Sequence, residues 1–192
     1  MKEYYHRRAA EYDETSYRAA EAEEVAELAQ LRDVIGALPL SRTLDVACGT
    51  AFLTRFLHGE IVGLDQSEEM LRLARKRMPR ARFVRGDAIP LPFPDDSFER
   101  VFTSNFYGHL EPPLRRRFLA EARRVAPELV VVDCAWAPGR VPEGLEERTL
   151  RDGSRWAIHK CYFTPDVLLG ELGGGDLLFH GPTFVAVRTS WS

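Results

Sequence analysis

Apolar residues along this chain form short runs that alternate with longer segments of helical periodicity. Seven runs of four to seven residues are rich in Val, Ile, Leu and Phe, as is typical of buried strands. They cover residues 43–46, 61–64, 81–85, 98–104, 129–133, 177–180 and 184–188. Strands that alternate with helices predict a mostly parallel sheet with helices on both faces. We therefore expect an α/β fold.

The segment before the first strand predicts an amphipathic helix over residues 19–38, which ends before Pro39. Its apolar face consists of Val25, Leu28, Ile35 and Leu38, and its acids, expected on the other faces, are Glu21, Glu23, Glu24 and Glu27. Residues 1–16 are polar and aromatic, and we expect them to be helical in part. This arrangement predicts a helical N-terminal cover over residues 1–38.

Two further helices are expected between the strands, after a short one at residues 52–57. Ser67 can cap the first, whose inner face is Met70, Leu71, Ala74 and Met78. The second begins near Pro113 with Leu114, Phe118, Ala122 and Val125 inward, and its run Arg115–Arg117 is expected to be a solvated face. A patch that contacts tRNA is the alternative for this run.

The last third of the chain carries local turn and cap signals. Residues 136–146 are expected to be loop, and Asp152-Gly153 predicts a hairpin between two extended stretches. Thr164 can cap a helix that begins at Pro165 and ends at Gly173–Gly175.

Composition narrows the possible functions. The 192 residues suffice for one well-buried domain, and no apolar run reaches the roughly 18 residues of a membrane span. The formal net charge of −3 argues against a dedicated nucleic-acid binder. Three widely spaced cysteines and a charged N-terminus favour a cytoplasmic protein with reduced thiols.

Polar residues lie at the ends of four successive predicted strands, namely Asp45, Asp65, Asp87 and Asn105. In open parallel sheets, ligands bind outside the carboxyl ends of the strands, so these side chains should converge. Small residues follow the first strand, and Asp65 comes sixteen residues after Gly49. An acid at that spacing is suited to the two hydroxyls of a ribose. The pattern predicts a nucleoside site.

Four motifs together resemble class I S-adenosylmethionine-dependent methyltransferases, in particular the small single-domain group that includes quinone-biosynthesis enzymes. The motifs are Leu-Asp-Val-Ala-Cys-Gly-Thr (44–50), Val-Gly-Leu-Asp-Gln-Ser (62–67), Gly-Asp-Ala-Ile-Pro-Leu-Pro-Phe-Pro-Asp-Asp-Ser-Phe (86–98) and Glu-Ala-Arg-Arg-Val (121–125). The resemblance implies a Rossmann-like, doubly wound seven-stranded sheet whose last strand is antiparallel. It also implies S-adenosylmethionine as cofactor, S-adenosylhomocysteine as product and a small-molecule methyl acceptor.

The same resemblance implies roles for individual residues. Asp45 and the turn through Gly49 would hold the methionine part of the cofactor, Asp65 the ribose, Gln66 and Met70 the adenine faces, and Asp87 with Ala88 the adenine edge. The implied cofactor site comprises Tyr12, Asp45, Ala47, Cys48, Gly49, Thr50, Asp65, Gln66, Ser67, Met70, Asp87, Ala88, Ile89, Ser104, Asn105 and Phe106. No metal is implied.

Two features of the site remain open at the sequence level. Ala47 and Ala51 stand where the family usually has Gly, which costs steric energy wherever φ must be positive. His109 follows the fourth strand and is a candidate general base, although a lone His is more often packed. Tyr4, Tyr5, Tyr12, Tyr107 and Tyr162 would roof an apolar substrate or belong to the core.

Other functions compete with this interpretation. A nicotinamide dehydrogenase requires Gly at positions 47 and 52, where the chain has Ala and Phe. A non-catalytic or regulatory cofactor-binding module remains an alternative, as does a tRNA or protein methyltransferase. Base methylation of nucleic acid is disfavoured because Asn105-Phe106-Tyr107 lacks the Pro-Pro of the corresponding motif.

We expect one methyltransferase domain over residues 1–192, with a cofactor-binding core at 39–135. A loop and hairpin insertion at 136–163 and a C-terminal helix with strands at 164–192 would complete it. Oligomeric state and acceptor identity are not encoded in these patterns.

Overall fold

The computed structural model describes residues 2–9, 12 and 22–191, and a seven-stranded sheet is the centre of its fold. Parts of the predicted N-terminal cover, residues 10, 11 and 13–21, lie outside the described residues. The side chains of Glu23, Glu24 and Val25 in the predicted helix also lie outside them. The strands of the main sheet are β1 (Ser41–Val46), β2 (Gly59–Asp65), β3 (Arg82–Arg85), β4 (Arg100–Ser104), β5 (Glu128–Cys134), β8 (Asp176–His180) and β9 (Phe184–Ser190). The expected seven-stranded sheet is confirmed.

The strand order is β3-β2-β1-β4-β5-β9-β8. Strands β1 to β5 are parallel, and β9 pairs antiparallel with both β5 and β8. Six strands therefore run in one direction and the last runs against them, as the resemblance implied. The chain reverses its direction of winding between β1 and β4, and this switch point is where ligands bind in such sheets.

The helices with described bounds are α1 (Lys2–Arg8), α2 (Ala22–Gly36), α3 (Glu68–Arg77), α4 (Pro112–Val125) and α5 (Pro165–Leu172), and α1 packs against α3. Single 3₁₀ turns occupy Thr54–Phe56 and Tyr107–His109. The first of these replaces the short helix expected at residues 52–57. None of the described helices is long and apolar enough to cross a membrane.

Both faces of the sheet are buried, which explains why β5 is continuously apolar. Leu129 and Val131 belong to the core that contains Phe118 of α4 and Leu168 of α5. Val130 and Val132 belong to the opposite core, with Leu31 and Ile35 of α2.

Predicted caps and the hairpin are present. The Ser67 hydroxyl accepts a hydrogen bond from the Met70 amide, and Thr164 accepts one from Val167. Gly173 ends α5 in a left-handed conformation with φ of 82°. Strands β6 (Glu143–Thr149) and β7 (Arg155–Cys161) form a separate antiparallel hairpin, so the loop expected at residues 136–146 ends earlier, at Glu143.

Three side chains of the helices depart from the sequence predictions. Glu27 is buried, because its carboxylate accepts hydrogen bonds from the Thr183 and Phe184 amides at the start of β9. Arg115 is also buried and forms ion pairs with Glu143 and Glu171, so only Arg116 and Arg117 of that run are exposed. Leu114, expected to face inward, is instead 37% exposed.

Candidate active site

The turn after β1 brings the backbone close to the switch point of the sheet. Ala47, Gly49 and Ala51 have φ of 58°, 54° and 59°. The Cys48 amide donates to the carbonyl oxygen of Leu64 at 3.0 Å, which ties the turn to β2. Positive φ is strained for alanine, so the steric cost expected at positions 47 and 51 is present in the structure.

Asp65 lies at the carboxyl end of β2 and braces this turn. One carboxylate oxygen accepts the Gly49 amide at 2.9 Å, and the other accepts the Ser67 amide at 2.8 Å. Burial raises the pKa of Asp65 above its ordinary value, while the amides of Ser67 and Gly49 oppose the shift. A carboxylate oxygen can accept more than one hydrogen bond, so both oxygens of Asp65 keep capacity for a ligand.

A first cavity of about 280 Å³ opens beside Asp65 and the turn. Aromatic and aliphatic side chains form most of its wall, and a few polar groups stand at its edge, as is usual for small-molecule sites. Eleven of the predicted cofactor residues line it: Tyr12, Ala47, Gly49, Asp65, Gln66, Met70, Asp87, Ala88, Ile89, Asn105 and Phe106.

Five predicted residues are not among those lining the first cavity, namely Asp45, Cys48, Thr50, Ser67 and Ser104. Several of these side chains make structural contacts instead. Ser67 caps α3, and the Thr50 hydroxyl and carbonyl both accept hydrogen bonds from Arg77. Cys48 is buried next to Gly63, whose added Cβ would lie 2.9 Å from the Cys48 sulfur. Thr50 and Cys48 therefore join the turn to α3 and β2, whereas Ser67 stabilises the start of α3.

Asp45 lies behind the turn and is fully buried. The Thr54 hydroxyl donates to one of its oxygens, while its other oxygen has no hydrogen-bond partner among the described residues. Burial raises the pKa of Asp45 to about 8, and the nearby Asp65 carboxylate adds to the shift. An unpartnered buried oxygen is unusual and leaves capacity for a bridging water between Asp45 and a ligand.

A second cavity of about 400 Å³ adjoins the first, since Tyr12 and Asn105 line both. His109, predicted as a base, lines this second cavity rather than the first. Its Nδ1 lies 2.8 Å from the carbonyl oxygen of His159. A carbonyl only accepts, so Nδ1 carries the proton and Nε2 retains its lone pair.

A buried ion pair stands next to His109. Lys160 Nζ donates to Asp133 at 2.8 Å, and Asp133 also accepts the amides of Gly108 and Cys134. Burial disfavours both charges, but each partner outweighs this effect, so the pKa of Lys160 is raised and that of Asp133 is lowered. Burial and then the Lys160 charge lower the pKa of His109 to about 3, which keeps the imidazole neutral at physiological pH.

Sequence reasoning missed several residues of the two cavities. Leu64, Gly86, Leu110 and Leu114 line the first cavity, and Arg8, Arg148 and Lys160 line the second. Lys160 is one of only three lysines and lies within an extended stretch, a signal that was available. The tyrosines expected either over a substrate or in the core are found in both places. Tyr4, Tyr5 and Tyr12 line cavities, whereas Tyr107 is packed in the core.

The chain is similar to known methyltransferases. Residues 43–128 match the family described as "Methyltransferase domain". The demethylmenaquinone methyltransferase of Renibacterium salmoninarum is 34% identical over 127 residues, which cover 61% of this chain and 53% of the relative. The phthiotriol/phenolphthiotriol dimycocerosates methyltransferase of Mycobacterium tuberculosis is 43% identical over 94 residues, or 44% of this chain and 33% of that protein. The chain thus spans about half or less of the length of these curated relatives.

A solved structure extends the similarity beyond this region. The complex of DhpI with SAH superposes with a TM-score of 0.79 at 25% identity and covers 99% of this chain and 95% of DhpI. The likeness therefore includes α1 and the β6–β7 hairpin, outside the family match. The chain is therefore similar to class I S-adenosylmethionine-dependent methyltransferases, including quinone-biosynthesis members, in sequence over residues 43–128 and in fold over almost its whole length.

Proposed function

We propose that this protein transfers a methyl group from S-adenosylmethionine to an oxygen, nitrogen or carbon atom of a small-molecule acceptor. The observation that carries the proposal is the first cavity, where the Asp65 carboxylate and the small-residue turn meet an apolar wall at the switch point of the sheet. DhpI, which resembles this chain over almost its whole length, has been solved with SAH.

The residues present fit this cofactor. Asp65 would accept the ribose hydroxyls, Gln66 and Met70 would flank the adenine, and Asp87 with the Ala88 backbone would bind its edge. Among the residues that the structure describes, a Cβ added at Gly49 would meet Tyr12 alone, at 3.9 Å, so the turn leaves space for a ligand to approach the backbone. Asp45, with its unpartnered oxygen, would act through a water.

The bound cofactor supplies a methyl group whose bond to sulfur breaks as the bond to the acceptor forms. The protein's part is to align the two reactants and to exclude water. Tyr5 and Tyr12 line the first cavity and serve this exclusion. We keep His109 as a candidate proton acceptor through Nε2. Its pKa of about 3 makes it a weak base, suited to acceptors that lose a proton readily.

We further propose that the domain spans residues 1–192 and acts in the cytoplasm on a free small molecule rather than on nucleic acid. The described cysteines are all free thiols, which fits a reducing compartment. The formal charge of −3 does not favour binding to phosphate backbones. The relatives act, by their names, on demethylmenaquinone and on phthiotriol lipids, which are small molecules.

Calorimetric titration with S-adenosylhomocysteine tests the cofactor site. We expect saturable binding that is weakened about 30-fold or more in Asp65→Ala, because charge-assisted hydrogen bonds are each worth about 1.5–3 kcal/mol. Asp65→Asn keeps the shape of the turn and should weaken binding in the same direction.

Glu60→Ala is the matched control, since Glu60 is an acid at the opposite end of the same strand and is exposed. Absence of binding at millimolar ligand, or equal binding by Asp65→Ala and Glu60→Ala, would contradict the proposed site. Tight binding without methyl transfer to any acceptor in a broad screen would favour the non-catalytic module.

A further inference from the structure

The second cavity differs from the first in charge. Arg8, Arg148 and Lys160 line it, and among the described residues no carboxylate side chain does. The first cavity, in contrast, contains Asp65 and Asp87 in its wall. Two adjoining spaces with opposite charge are suited to two ligands of opposite charge.

Lys160 and Arg148 each pair with an acid that does not line the cavity. Asp133 pairs with Lys160 but is fully buried, and it also accepts hydrogen bonds from the Gly108 and Cys134 amides. Glu146 pairs with Arg148 at 2.5 Å and does not line the cavity. Lys160 also contacts Cys134, and Arg148 also contacts Tyr162. Because an ammonium has three donors and a guanidinium five, two partners still leave a donor for a ligand.

Arg8 and His109 complete the polar wall. The Arg8 guanidinium stacks over the Tyr4 and Tyr12 rings, with its central carbon 5.6 Å and 4.9 Å from the ring centroids, which fixes its position on α1. His109 is neutral and offers only an acceptor nitrogen. An apolar acceptor in this space would cover the remaining donors of these charged groups without offering them a hydrogen-bond acceptor, which is costly.

We propose that the second cavity binds the methyl acceptor through an anionic group, a carboxylate or a phosphoryl oxyanion, held by Arg8, Arg148 and Lys160. The inference rests on the proposed function, since it names the substrate class of that reaction. Tyr12 and Asn105, which line both cavities, mark where acceptor and methyl donor meet.

Inorganic phosphate and acetate, titrated separately at constant ionic strength into protein saturated with S-adenosylhomocysteine, test this proposal. We expect saturable binding of at least one anion, and the stronger of the two identifies the oxyanion class. Arg8→Gln and Arg148→Gln should each weaken it about tenfold. Both side chains are partly exposed, so these variants should fold.

Arg116→Gln is the matched control, because Arg116 is exposed on α4 and does not line either cavity. The proposal is overturned if neither anion binds more tightly than chloride, or if Arg116→Gln weakens binding as much as the cavity variants do. Transfer to a neutral quinone acceptor that is unaffected by Arg8→Gln and Arg148→Gln would also overturn it.

The two proposals fail in different ways. Binding of S-adenosylhomocysteine without anion binding would overturn the acceptor class and leave the cofactor site intact. If S-adenosylhomocysteine does not bind, the proposed function is wrong. In that case, titration of anions into the protein without S-adenosylhomocysteine still supports or overturns anion binding in the second cavity.

Discussion

Ala47 holds a backbone conformation that alanine rarely adopts, with φ of 58° in the turn after β1. Glycine removes the steric cost, although its greater freedom in the unfolded chain offsets part of the gain. We expect Ala47→Gly to raise the free energy of unfolding by about 0.5 kcal/mol, measured by urea denaturation. Ala74→Gly, inside α3, should lower it by about 1 kcal/mol or more. A loss of stability in Ala47→Gly would show that the alanine methyl group stabilises the turn.

Asp45 makes stability depend on pH. Its pKa of about 8 in the folded protein exceeds the ordinary value of 3.8, so the folded state holds a proton that the unfolded chain releases between these values. The contribution of Asp45 to the free energy of unfolding is fully present below pH 3.8, declines as the pH rises, and is lost above about pH 8.

Asp45→Asn removes this titration and keeps the size of the side chain. We expect the free energy of unfolding of the variant, minus that of the unmodified protein, to increase by about 1 kcal/mol or more from pH 5 to pH 8.5. Urea denaturation of both proteins at each pH gives this difference directly, because all other titrating groups are shared. A difference that stays constant over this range would mean that Asp45 is ionised in the folded protein.

At the scale of elements, Arg115 joins α4 to the β6–β7 hairpin and to α5. It donates to the carbonyl oxygen of Leu110 at 2.8 Å and pairs with Glu143 and Glu171. We expect Arg115→Leu to lower the free energy of unfolding by about 2 kcal/mol, since Glu143 and Glu171 each lose an ion-pair partner and the buried Leu110 carbonyl loses its donor. Hydrogen exchange should increase in β6 and β7 more than in β1 to β5.

Arg116→Leu is the control for this change, because the neighbouring side chain is exposed and should alter stability by less than about 0.5 kcal/mol. Equal loss of protection across the main sheet and the hairpin would show that Arg115 stabilises the molecule as a whole rather than the position of the hairpin.

Most elements could be predicted from sequence, because their signals are local. The apolar run of β5, the Ser67 and Thr164 caps and the Asp152-Gly153 turn depend on residues within a few positions. Glu27 and Arg115 were misassigned for the opposite reason. Helical periodicity separates the faces of one helix but carries no information about the amides of β9 or the acids of β6 and α5 that bind these side chains.

At the scale of the whole molecule, the parallel pairing of β1 to β5 follows from the alternation of strands and helices, whereas the antiparallel last strand was implied by the family resemblance. The first cavity was largely predictable, since most of the residues that line it come at or just after the ends of β1, β2, β3 and β4. The second cavity was not predictable from these rules. It joins Arg8 of α1 to Arg148 and Lys160 of the hairpin, residues about 140 to 150 positions apart whose proximity depends on tertiary packing.

The direction of β9 bears on how the protein should be handled in the laboratory. Ser190 pairs with Glu128, the first residue of β5, and so lies at the sheet edge opposite the cavities. Tyr4 and Tyr5 of α1 lie beside the cavities themselves. An affinity tag or surface tether attached after residue 190 therefore leaves the ligand sites open, whereas a bulky fusion before residue 2 would crowd their entrance.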